Sequence, residues 1–77
     1  MKSVKIRLST IADVRDFVNA VAKSDIDIDL CSGRYVVDGK SIMGIFSLDL
    51  LSPITLNAHS DDTDELFADL AKFIVEE

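Results

Sequence analysis

Residues 38–48 read Asp-Gly-Lys-Ser-Ile-Met-Gly-Ile-Phe-Ser-Leu, and the rest of the chain can be laid out from this stretch. Asp38-Gly39 is a turn dipeptide and Ser41 a good N-cap. Ile42, Ile45 and Phe46 follow at the spacing of one helix face. The run is too short for a long helix, so a two-turn helix is expected, weakened from within by Gly44. Ile45 is assigned to the core, and Pro53 stops any continuation.

Upstream, Tyr35 to Val37 is a short β-prone run behind the Ser32-Gly33 turn. Before that turn, Asp25, Ile26, Asp27, Ile28, Asp29 and Leu30 alternate strictly, and a one-residue slip would bury three carboxylates. A strand there is the clearest expectation. Near the start, Val4, Ile6 and Leu8 alternate with Lys5, Arg7 and Ser9 as a first strand. From Thr10 the period changes, because Ile11, Val14, Phe17, Val18 and Val21 share one helix face. Thr10 followed by Asp13 resembles a capping box.

Downstream, Ile54, Leu56 and Ala58 alternate with Thr55, Asn57 and His59, which puts His59 on the wet side of a fourth strand. Ser60 and the acidic run Asp61 to Glu65 open a C-terminal helix whose stripe is Leu66, Phe67, Leu70, Phe73 and Ile74. The expected order is β-α-β-β-α-β-α. Its helices all need one apolar sheet face, so a two-layer α+β sandwich with an open polar face is predicted.

Seventy-seven residues allow one domain, 1–77, and an apolar fraction of 48% can supply its core. A net charge of −6 repels phosphate backbones and anionic headgroups, which argues against nucleic-acid and membrane roles. Cys31 stands alone, so no internal disulfide forms. Without a signal peptide or an apolar run near 18 residues, the expected compartment is the reducing cytoplasm. Nucleophilic triads, paired catalytic carboxylates, glycine-rich loops and zinc spacings are absent from the sequence, so no enzymatic activity, cofactor or metal is expected. Asp25, Asp27 and Asp29, with Asn57 across the sheet, offer oxygen atoms to a hard cation. Carboxylates two residues apart on a strand are about 7 Å from one another, however, so a solvated face is the expectation.

The segment from Asp38 to Leu48 resembles the regulatory-serine segment of the HPr phosphocarrier family, especially its catabolite-repression paralogue, which lacks the active-site histidine. Phe17-Val18, Ile54-Thr55-Leu56 and the acidic cap before Leu66 to Ile74 extend the resemblance over nearly the whole chain. It implies an open-faced sandwich of a four-stranded antiparallel sheet, order 1-4-2-3, with three helices on one face. It also implies a histidine at the start of the first helix that takes a phosphoryl group from enzyme I, and a nearby arginine that helps hold it. Aligned on Phe17-Val18, Thr10 occupies the histidine position and Ala12 the arginine position. A threonine phosphoester is far too inert to serve as a relay.

The resemblance further implies that a kinase phosphorylates Ser41 and that Ile42, Met43 and Phe46 dock protein partners, HPr kinase or a transcriptional regulator of carbon use. A phosphate at Ser41 adds roughly −1.5 to −2 charges at a helix start, beside Lys40. Three readings are carried forward: a non-catalytic docking module, a genuine phosphocarrier using an unrecognised residue with His59 as the only nitrogen candidate, and a relic domain. Thr10, at a helix start, could also hold a phosphate noncovalently.

Overall fold

The computed structural model describes residues 1–75. Its elements are β1 (Lys2–Ile6), α1 (Ile11–Ala22), β2 (Ile28–Ser32), β3 (Tyr35–Asp38), α2 (Ile42–Phe46), β4 (Ile54–Ala58), α3 (Asp64–Asp69) and β5 (Ile74–Val75). A 3-10 turn, Ala71–Phe73, links α3 to β5.

The expected four-stranded sheet in order 1-4-2-3 is corrected: the sheet has five strands, ordered β3-β2-β4-β1-β5, and every pairing is antiparallel. β1 is therefore an interior strand. The reason lies at the C-terminal stripe, which does not continue as one helix. α3 stops at Asp69, and the chain then extends so that Ile74 pairs with Ile6 and Val75 with Lys5. The Arg7 amide donates to the Phe73 carbonyl at 2.9 Å. Leu66, Leu70 and Phe73 stay buried on the helical period, while β-branched Ile74 and Val75 take the extended conformation they favour.

The alternation in β4 is complete: Ile54, Leu56 and Ala58 are buried, Thr55 and Asn57 are not. Register carries it across the sheet, aligning Val37, Leu30, Leu56 and Val4 in a row beneath the helices. Phe17 of α1 lies over that layer, its ring meeting Phe73 edge-on at 5.9 Å between centroids. Val14, Val21, Ile45, Leu66 and Leu70 complete one continuous core.

Three local expectations are revised. β2 begins at Ile28, so Asp25 and Asp27 precede the strand; Ser24 Oγ accepts the Ile26 amide there and turns the chain. Leu8 is buried but lies beyond β1. Ile11 is 68% exposed, because the first helical residue projects past the end of the sheet.

Candidate functional site

The chemistry-bearing residues fall at the starts of α1 and α2 and on the uncovered face of the sheet. Thr10 is the N-cap of α1: its Oγ1 accepts the Asp13 amide at 3.1 Å, while Asp13 Oδ2 accepts the Ser9 amide at 3.0 Å. The exchange is reciprocal, but the returning Asp13 carboxylate takes the amide of Ser9, one residue before the cap, and not that of Thr10 as in a standard capping box. An anion arriving at this helix start would meet the Asp13 carboxylate. Arg7 and Lys72 border the same shallow groove, but Lys72 Nζ lies 3.4 Å from Asp16. Ala12, one residue into the first turn of α1, is exposed and carries no donor.

Ser41 caps α2, its Oγ accepting the Gly44 amide at 3.2 Å, and its side chain faces solvent. Lys40 does not turn toward it: Nζ donates to the Ser24 carbonyl at 2.8 Å, and the Lys40 amide donates to Asp38 Oδ1 at 2.9 Å. The adjacent cation inferred from sequence is thus committed to the loop before β2. A Cβ on Gly44 would lie 3.2 Å from both Ser41 Oγ and Val37 Cβ, so the glycine lets α2 settle closely on β3 and on its own cap.

The three residues grouped as a docking patch differ in exposure. Met43 is 76% exposed and Phe46 40% exposed, whereas Ile42 is half-buried against the core. Ile45, between them, is fully buried. Sequence reasoning overlooked Leu51, which is 89% exposed in the loop before β4, and grouped exposed Ile11 with the apolar face of α1. Ile11 is the first residue of α1 and Leu51 lies in a loop, positions where apolar periodicity carries no information about burial.

His59 follows β4 on the uncovered sheet face, with Nε2 2.6 Å from Asp29 Oδ2. On that face Asp38, Asp29, Asn57 and Ser3 form one cross-strand row. Ser3 Oγ donates to Asn57 Oδ1 at 2.6 Å, and Asn57 Nδ2 points at Cys31 Sγ, 3.2 Å away. Of the aspartates expected to share a face, Asp25 and Asp27 precede β2 and Asp29 pairs with His59, and no group of three metal-ligating side chains converges among the described residues. No helix among them is long and apolar enough to cross a membrane.

This arrangement of sheet, capped first helix and capped short second helix has known counterparts. Residues 13–76 match the family described as PTS HPr component phosphorylation site. The chain belongs to the HPr family. Its structure is similar to HPr-C-His from Thermoanaerobacter tengcongensis, with a TM-score of 0.77 and 30% identity over 94% of this chain and 89% of that one. It is also similar to the phosphocarrier protein HPr of Bacillus anthracis str. Ames, with a TM-score of 0.67 and 29% identity over 96% of this chain and 94% of that one. Among curated proteins, none is significantly similar to the chain. As an HPr-family domain it is a relative of phosphotransferase-system phosphocarriers, and it has no imidazole at the start of α1.

Proposed function

We propose that this HPr-family protein is a regulatory docking module, of the type of the catabolite-repression paralogue, that does not relay phosphoryl groups. Its partner surface is the outer side of α2, with Met43 and Phe46 as contacts and half-buried Ile42 at their base. Phosphorylation of Ser41 controls docking. The observation that carries this reading is the exposure of Met43 beside Phe46 on a helix whose inner side is held by buried Ile45. A thioether and an aromatic ring left in water next to one another suit a recognition surface. HPr kinase and a transcriptional regulator are the proposed partners, in the cytoplasm.

The Ser41 hydroxyl is accessible to a kinase, and a phosphate there places roughly −1.5 to −2 charges at the rim of the patch. With its Nζ turned to the Ser24 carbonyl, the neighbouring Lys40 is not poised to neutralise it. The added charge is therefore available to an arginine or lysine of a partner. Relay is opposed at α1 by Thr10, which is a cap rather than a nitrogen nucleophile, and by Asp13, which repels an incoming phosphate.

Two incubations test this, each followed by intact-mass measurement and site mapping: HPr kinase with ATP, and enzyme I with phosphoenolpyruvate. The expected result is a single phosphate from the kinase, absent in Ser41→Ala, and none from enzyme I. Acid-labile phosphate on His59 after the second incubation would refute the reading in favour of a phosphocarrier. A kinase-treated Ser41→Ala protein that still gained mass would remove the assigned site.

A further inference from the structure

We propose that β3 is a self-pairing sheet edge, through which two copies of this protein join antiparallel about a twofold axis at Val36. β3 is the outermost strand on its side, and the opposite edge is only the two-residue β5. Sheet edges that stay solitary are usually blunted by proline, lysine, a bulge or extreme shortness. Within Tyr35-Val36-Val37-Asp38, β3 has no proline, lysine or bulge, its one charge, Asp38, stands at its far end, and Tyr35 and Val36 are 70% and 64% exposed.

The register follows from the hairpin. Gly33 at φ 60° and Arg34 form a two-residue turn that closes on the Ser32–Tyr35 pair. Tyr35 therefore bonds inward to β2, as does Val37 opposite Leu30, and Val36 turns its N–H and C=O outward. An antiparallel second copy must match outward residues with outward residues. Centring on Val36 sets Val36 against Val36, and Arg34 of each copy against Asp38 of the other.

That match is one of charge as well as of hydrogen bonds. Among the described residues neither Arg34 nor Asp38 has an ion-pair partner. Asp38 moreover faces Asp29 directly across β2, a like-charge pair that a cation from outside would relieve. His59 already serves Asp29. Because the Asp38 carbonyl accepts from the Ser41 amide at 3.0 Å, the shared ladder is short: the two Val36 bonds and the Asp38 N–H to Arg34 C=O bonds. A weak, transient dimer is the expected outcome.

The test is sedimentation and amide-resolved NMR of the intact chain from roughly 10 μM to roughly 1 mM, a range suited to weak interfaces. Concentration-dependent shifts should centre on residues 34–38. Arg34→Asp and Asp38→Arg should each weaken association by roughly tenfold, since each replaces two attractions with two repulsions. The double variant should restore it to within about threefold. Val36→Lys, at an exposed position that leaves the monomer's core untouched, should abolish association and serves if Asp38→Arg misfolds. A protein that stays monomeric at the highest concentration, shift changes on another face, a dimeric Val36→Lys protein or a double variant without recovery would each overturn the proposal.

Discussion

Replacing Gly39 by alanine should destabilise the protein by about 2 kcal/mol, although the backbone there is one any residue adopts. The cause is proximity. A methyl on Gly39 would sit 2.7 Å from Ile28 Cγ2 and 3.1 Å from the Ile28 carbonyl oxygen. Carbon atoms at rest are about 3.5–4.0 Å apart, so roughly 1 Å must be found. Ile28 cannot yield it readily, being 2% exposed within the core. Backing Gly39 away stretches the bond from its amide to that same carbonyl, now 2.8 Å. Overpacking of this kind costs about 1–3 kcal/mol, and a weakened hydrogen bond up to about 1 more. Reduced freedom of the unfolded chain returns about 0.4–1 kcal/mol. A net loss of about 2 kcal/mol corresponds to a fall in Tm of roughly 10 °C for a domain this small. Urea and thermal unfolding followed by circular dichroism would measure it. Ile28→Leu keeps the side-chain volume but removes Cγ2, so Gly39→Ala should cost about 1 kcal/mol less in that background. A Gly39→Ala protein melting within about 2 °C of its parent, or an equal penalty in both backgrounds, would refute the steric reasoning.

Thr10→Ala should cost about 1 kcal/mol in urea unfolding through loss of the bond to the Asp13 amide, while Thr10→Ser, which keeps the acceptor, should cost well under half of that. Phe73→Leu should cost about 1–2 kcal/mol, because it removes the edge-on contact with Phe17 along with part of a nearly buried side chain; a Phe17→Leu/Phe73→Leu double variant should lose less than the sum of the single losses.

The two helix caps were legible in the sequence. Thr10 and Ser41 are caps, as small hydroxyl residues ahead of apolar helical spacing must be, and both accept the predicted kind of backbone amide. The direction of Lys40 was not legible. Its neighbour in sequence is Ser41, but its amine finds the Ser24 carbonyl sixteen residues earlier, and only the packing of the loop before β2 against the β3–α2 turn creates that partner. Exposure within α2 was only partly legible, since four apolar residues share a five-residue helix that can bury only one side.

Local alternation and helical spacing, which act within a few residues, determined by themselves that strands and helices would follow one another with one apolar side each. Long-range contact decided the rest. Residues 66–74 satisfy a helical stripe, yet Ile74 leaves it and, with Val75, pairs with Ile6 and Lys5 at the open edge of β1. A period records only which side of a segment avoids water, whereas the choice between helix and strand at a boundary depends on which unpaired amides and carbonyls the folded chain brings alongside.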